Sequence, residues 1–217
     1  MPAARVVLWR HGRTAFNHER RFQGQLDVAL DAVGETQVKA AAAELAPRLR
    51  GGGPVVLVTS DLRRAASTAA ALTAETGLPA VPEPGVREVH AGVWQGLTHP
   101  EIQAAHPADF DAWRRGEDLR LGGPGGEKRS EVARRAAVAI ERHAATVPDG
   151  GTLVVASHGA ALKGAVLELT GLGLAHWDRL AGFRNAHWTV LEPSRRGGWV
   201  LVEHNVGAAG DEVGVEG

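Results

Sequence analysis

Three apolar runs in this chain each stop at residues equipped to handle a phosphoryl group. Arg5-Val-Val-Leu-Trp9 leads into Arg10-His-Gly-Arg-Thr14, Pro54-Val-Val-Leu-Val-Thr59 into Ser60 with Arg63 and Arg64 close behind, and Gly151-Thr-Leu-Val-Val-Ala-Ser157 into His158-Gly159. A phosphoryl group is a tetrahedral dianion, so its transfer needs a nucleophile, fixed cations against the non-bridging oxygens and a proton for the leaving oxygen. Cysteine is absent, which removes thiolate nucleophiles, disulfides, iron–sulfur clusters and cysteine-based zinc sites together. A neutral imidazole can attack phosphorus directly. His11, on a tight turn between Arg10 and Gly12, can do so with its other ring nitrogen held by a backbone carbonyl. Arg10 and Arg64 offer planar forks that clamp phosphoryl oxygens as lysine cannot. A protonated His158 would add a third donor, and Glu88, in Arg87-Glu-Val-His90, is the candidate acid. None of His18, His99, His106, His143, His176 and His204 forms a metal-ligand spacing with Asp or Glu, so surface or packing roles are expected for them. Neither a metal nor a cofactor is expected.

Positioning these residues falls to an alternation of strands and helices. The Ala-rich run from Asp31 to Leu49 carries Val38, Ala41, Leu45 and Leu49 at helical spacing and stops at Gly51-Gly-Gly53. Asp61 to Thr76 reads as a second helix closed by Gly77, and a short strand is expected within Val81 to Glu88. Thr98-His-Pro-Glu101 has the form of a capping box opening a helix toward His106. Residues 116–127 hold too many turn formers for an element and are expected to loop over the site. Their glycines lack the preceding strand and the spacing of a dinucleotide fingerprint. Ser130 to Thr146 and Ala160 to Thr170 read as helices, and Ala186 to Leu191 and Trp199 to His204 as strands. Residues 206–217 have little to bury and are expected to form a disordered tail behind a single domain over 1–205. The rhythm implies an α/β fold, a three-layer α/β/α sandwich with a mostly parallel central sheet. Ligands collect beyond the carboxyl ends of such strands. Trp94 and Trp113 are expected as core or loop anchors, and Arg114, Arg115 and Arg120 as a solvated helix face.

Composition narrows the partners. Lys plus Arg is 24 against 25 for Asp plus Glu, a net charge of −1, so no global field holds nucleic acid or an anionic membrane. No apolar stretch approaches the roughly 18 residues of a membrane helix, and no export segment is visible. A cytoplasmic protein acting on a small-molecule phosphate ester is the expectation, and whether it pairs as a homodimer is left open.

Four separated motifs, Arg10-His-Gly-x-Thr14, Ser60-Asp-Leu-Arg-Arg-Ala-x-x-Thr-Ala69, Glu88-x-x-x-Gly92-x-Trp94-x-Gly96 and Ser157-His-Gly159, resemble the histidine phosphatase, or phosphoglycerate-mutase-like, superfamily across about residues 5–205. The resemblance implies a phosphoglycerate-mutase-like fold and a phosphomonoester hydrolase without metal or cofactor. It implies that His11 becomes phosphorylated, that Arg10, Arg64 and His158 form the phosphate pocket, and that Glu88 is proton donor and then base. Asn17, Gln23 and Gly24 match the family's substrate-side loop. Within the family, Arg21-Phe-Gln-Gly-Gln-Leu26, Trp94-Gln-Gly-Leu-Thr-His99 and Asn185-Ala-His-Trp-Thr189 look most like an actinobacterial branch containing glucosyl-3-phosphoglycerate phosphatases. Two positions depart from the pattern: Arg13 stands where an acid or Gln is usual, and Lys128 where Ser commonly follows the Glu. Both are expected to read an anionic tail of the substrate. A cofactor-dependent phosphoglycerate mutase is the alternative, disfavoured because Glu88 leads into Val-His-Ala-Gly-Val-Trp and the chain has no Tyr. A non-catalytic module holding phosphorylated ligands is a second, disfavoured because every candidate catalytic residue is present.

Overall fold

The computed structural model describes residues 3–208. In chain order its elements are β1 (Ala3–Arg10), α1 (Ala15–His18), α2 (Ala32–Leu49), β2 (Val55–Thr59), α3 (Arg63–Thr76), β3 (Ala80–Pro82), α4 (His99–Ala105), α5 (Pro107–Arg114), α6 (Arg129–Thr146), β4 (Gly151–Ser157), α7 (Gly159–Leu169), β5 (Trp188–Pro193) and β6 (Trp199–Val206). Short 3-10 turns occupy Pro84–Val86, Gly92–Trp94 and Leu174–Arg179. The strands form one sheet in the order β3-β2-β4-β1-β5-β6. The first four are mutually parallel, while β5 runs antiparallel to β1 and β6 to β5.

The central strands are continuous apolar runs because both of their faces are covered. Val6 and Leu8 pack toward α6 and α7, where Val132, Ile140, Leu162 and Val166 meet them. Val7 and Trp9 pack on the opposite core, built from Val38 and Leu45 of α2 and Leu72 of α3. Alternate residues of β1 thus enter two cores, and the layers are α2/α3, sheet and α6/α7. β4 lies between β2 and β1, with Thr59 level with Ala156 and Arg10 level with Ser157. The three strand ends carrying Arg10–His11, Ser60 and Ser157–His158 therefore open on one edge.

Several elements differ from the sequence expectation for local reasons. The strand expected within 81–88 begins at Ala80 and ends at Pro82, and a 3-10 turn opening on Pro84 follows. The helix opened by Thr98, whose capping box with Glu101 is present, stops at Ala105. His106 takes the non-helical backbone that a following proline enforces, and Pro107 begins a separate α5. Phe22, Trp94, Phe110 and Trp113 interlock edge to face around these two helices, which makes both tryptophans packing anchors. β6 extends to Val206, the first residue of the expected tail; residues 209–217 of that tail lie outside the described residues.

One close approach ties this frame to the loop after β1. A Cβ on Gly34 of α2 would lie 2.0 Å from the Arg13 carbonyl oxygen, and one on Gly12 would lie 2.5 Å from the Gly34 carbonyl oxygen. Asp31 caps α2 through the Gly34 N–H at 2.7 Å and also accepts from Arg13 Nε at 2.9 Å. Gly34→Ala should therefore cost about 1–3 kcal/mol in urea denaturation and lower phosphatase activity, because the backbone beside His11 has to move. Gly52→Ala, whose Cβ would meet nothing nearer than 3.9 Å, should leave both unchanged.

Candidate active site

The ring of His11 is held in one tautomer by its immediate neighbours. Nδ1 lies 2.7 Å from the Gly12 carbonyl oxygen; a carbonyl can only accept, so Nδ1 carries the proton. Nε2 is then the bare nitrogen, and Arg64 Nε donates to it at 3.3 Å. The His11 carbonyl accepts from Ala186 N at 3.1 Å and Asn185 Nδ2 at 3.0 Å, while its own N–H reaches the Ser157 carbonyl at 3.0 Å. His11, Arg64 and His158 are buried. Burial, then the charges of Arg64 and Arg10, hold the His11 ring well below the ordinary histidine range. The neutral ring with a bare Nε2 is thus the resting form.

Arg64 enters on the first turn of α3 and is anchored by carbonyls: Nη1 donates to Leu26 at 2.8 Å and Nη2 to Gly24 at 2.7 Å. Burial lowers its guanidinium to about 10, which leaves it charged at neutral pH. Arg10 donates through Nη1 to the Phe183 carbonyl. The loops around the pocket are laced by Thr14, whose hydroxyl donates to Gln23 Oε1 at 2.9 Å, and by Asn17 Oδ1, which accepts from the Thr14 N–H and from Asn185 Nδ2, both at 3.2 Å.

His158 stands edge-on to His11 with ring centres 5.1 Å apart. Its Nε2 meets Ser60 Oγ at 2.8 Å, and its Nδ1 is buried with no hydrogen-bond partner among the described residues. Burial, and then the charges of Arg64, His11, Arg10 and Arg135, push this ring well below the ordinary range too. A neutral ring donates from one nitrogen only, and an anion beside it would favour the protonated ring that offers a further donor.

The structure places Glu88 where the loop after β3 meets α7. Oε1 accepts from Val89 N at 2.9 Å and Ala161 N at 3.0 Å, and Oε2 from Ala160 N at 3.1 Å. A Cβ on Gly159 would lie 3.6 Å from Arg10 Nε and 3.8 Å from Glu88 Oε2, so that glycine has both groups as neighbours. Among the described residues Oε2 accepts the one bond from Ala160 N, which leaves it a second lone pair that can carry a proton.

His11, Arg10, Arg64, His158 and Glu88 are thus brought together, with Asn17, Gln23 and Gly24 in the adjoining loop. Arg13 is engaged elsewhere: its Nε pairs with Asp31 and its N–H donates to Gln37 Oε1 at 3.0 Å. Lys128 caps α6, where its N–H donates to Glu131 at 3.0 Å. Sequence reasoning assigned no role to Asn185, Thr68 or Phe183. Thr68 Oγ1 accepts the Gly12 N–H at 3.3 Å and donates to the Arg64 carbonyl at 2.7 Å, and its place in the Arg63-Arg-Ala-x-x-Thr68 motif was the available signal. Phe183 acts through its carbonyl, which no sequence pattern announces. Among the described residues no group of three or more His, Asp or Glu is placed to hold a metal ion, and no helix is long and apolar enough to cross a membrane.

A bare imidazole nitrogen at the carboxyl ends of parallel strands, with two guanidinium groups beside it, is the arrangement of a phosphotransfer site. The sequence profile of the histidine phosphatase superfamily (branch 1) matches residues 6–207, and the chain belongs to that family of enzymes hydrolysing phosphate esters. It is 41% identical over 195 residues to a glucosyl-3-phosphoglycerate phosphatase of Mycobacterium tuberculosis, covering 85% of this chain and 83% of that one. It is 36% identical to a probable phosphoglycerate mutase of Yersinia enterocolitica, over 83% and 80% of the two chains. The solved mycobacterial glucosyl-3-phosphoglycerate phosphatase in complex with inorganic phosphate superposes with a TM-score of 0.83 at 37% identity, over 94% of this chain and 98% of that one.

Two rings kept neutral by burial impose a pH dependence on stability. Their folded values lie below the ordinary 6.5, so as pH falls through 6.5 the unfolded chain binds protons that the native pocket refuses. Stability is complete above that pH and is lost below it, at about 1.4 kcal/mol per pH unit for each ring. Urea titrations between pH 7.5 and 5.0 should show a shallower fall for the double variant His11→Asn/His158→Asn than for the parent chain; equal slopes would contradict this origin.

Proposed function

We propose that the chain hydrolyses a phosphomonoester through a phosphohistidine on His11. The observation that carries this reading is the fixed tautomer: Nδ1 donates to the Gly12 carbonyl and Nε2 faces Arg64. In the first step Nε2 forms a bond to phosphorus as the ester P–O bond breaks, and Glu88 gives its proton to the departing oxygen. Water then attacks phosphorus and gives a proton to Glu88. Nε2 is released, and inorganic phosphate leaves. Arg10, Arg64 and His158 neutralise the non-bridging oxygens, and Asn17, Gln23 and Gly24 shape the substrate side. A cytoplasmic setting is compatible with the cysteine-free composition.

Glucosyl-3-phosphoglycerate is the substrate we infer, on the likeness to the mycobacterial enzymes of that name. Its carboxylate is a second anion. Of the two outer cations, Arg13 is engaged by Asp31, so Lys128 is the one we assign to that carboxylate. The mutase reading has the weaker support of a relative at lower identity.

A rapid alkaline quench during turnover, followed by mass spectrometry, should find phosphate on His11, and His11→Ala should lose essentially all turnover; phosphate on another residue ends the reading. With 3-phosphoglycerate as substrate, a phosphatase releases phosphate, a mutase yields the 2-isomer, and a binding module yields neither. Lys128→Ala should raise KM for glucosyl-3-phosphoglycerate by about tenfold, the usual worth of one charge-assisted contact, and leave an aryl phosphate unchanged. Equal losses on both would remove Lys128 from substrate recognition.

A further inference from the structure

One guanidinium on α6 gathers the whole segment that carries Glu88. Arg135 Nη1 donates to the carbonyls of Gly85 and Arg87, both at 2.9 Å, and Nη2 to that of Glu88 at 3.2 Å. The remaining bonds go to Glu127, from Nε to Oε1 at 3.0 Å and from Nη2 to Oε2 at 2.8 Å. A guanidinium has five N–H donors, and all five are committed here. Glu127 accepts the His90 N–H at 2.8 Å through Oε2 and returns its own N–H to the His90 carbonyl at 2.8 Å. The pair thus holds backbone on both sides of Glu88, from Gly85 to His90. The contact continues where Val93 N donates to the Gly122 carbonyl at 3.0 Å. There a Cβ on Gly92 would lie 2.3 Å from that same oxygen.

Charge-assisted hydrogen bonds are roughly twice as strong as neutral ones, and three of the five end on carbonyls within three residues of Glu88. The Glu88 carboxyl meanwhile rests on backbone N–H groups of Val89, Ala160 and Ala161. Where that carboxyl sits follows from how firmly residues 85–90 are held, because its backbone belongs to that segment. We infer that Arg135 and Glu127 form one positioning unit that sets the reach of the Glu88 carboxyl toward the leaving oxygen, an inference resting on the acid–base reading of Glu88 given above. Among the described residues neither side chain hydrogen-bonds to His11, Arg64 or His158. Both hold the backbone that carries the acid, the charge of Arg135 bearing also on His158, and the proton transferred is the one already assigned to Glu88.

The test is single-turnover phosphorylation of the enzyme by a series of phosphomonoesters, from aryl esters with acidic phenols to alkyl esters with poor leaving groups. Glu88→Gln should slow the alkyl esters by roughly 10²–10⁴ and the aryl esters far less. Arg135→Gln and Glu127→Gln should reproduce that gradient at a smaller size, about tenfold or more on the alkyl esters, and neither should add to the loss in a Glu88→Gln background. If Arg135→Gln fails to fold, Glu127→Gln, which keeps the side chain's shape, carries the test. Equal losses across the series in these variants, with the gradient intact in Glu88→Gln, would overturn the positioning role and leave a structural one. A flat series in Glu88→Gln itself would instead overturn the acid reading, and the inference with it.

Discussion

The proton on Nδ1 of His11 is the detail on which the site depends. With Nδ1–H donated to the Gly12 carbonyl, the lone pair on Nε2 faces Arg64 and the pocket; with the proton on the other nitrogen, the ring would meet a phosphoryl group as a donor and could not attack it. The acceptor belongs to the next residue in the chain, so the tautomer is set by the backbone of the turn. That backbone is in turn seated on α2, where Gly12 and Gly34 approach too closely for any side chain. The N-terminal end of a helix at the back of the loop therefore fixes the chemistry at its front.

The second constraint is how to keep several cations together without cancelling them. Arg64 is held by the carbonyls of Gly24 and Leu26, and Arg10 by that of Phe183. A carbonyl dipole orients a guanidinium while leaving its charge intact. The cost appears in the neighbours, since both buried imidazoles are pushed toward neutrality by burial and by these same arginines. An arriving phosphate dianion relieves that cost, which makes the pocket electrostatically complementary to its ligand before the ligand binds.

Around this centre the fold divides its labour. Parallel strands supply Arg10, His11 and His158 at their ends and the first turn of α3 supplies Arg64, whereas Glu88 comes from an excursion between β3 and α6 that is anchored by an aromatic cluster on one side and by Arg135 on the other. The glycines of 116–127 serve that anchoring. Gly122 lies against Gly92, and a Cβ on Gly126 would lie 1.7 Å from the Leu121 carbonyl oxygen, so the segment zips along the loop that carries Glu88.

Much of this was legible in the residues. Continuous apolar runs marked β1, β2 and β4, because strands covered on both faces need no alternation, and Arg10–His11, Arg64 and Ser157–His158 could be read as strand-end chemistry for the same reason. Capping residues such as Asp31, Thr98 and Gly77 placed helix ends within a residue or two. What a one-dimensional pattern does not carry is who lies beside whom. The crossover that puts β4 between β2 and β1, and with it His158 between Ser60 and His11, is a choice among topologies that the alternation alone leaves equivalent. The engagement of Arg13 by Asp31, the neutral state of His158 and the grip of Arg135 on three carbonyls were likewise decided by tertiary structure, because a side chain's partner and its charge depend on burial and on neighbours distant in sequence. Residue types determined which chemistry was available; packing determined which atoms were left free to perform it.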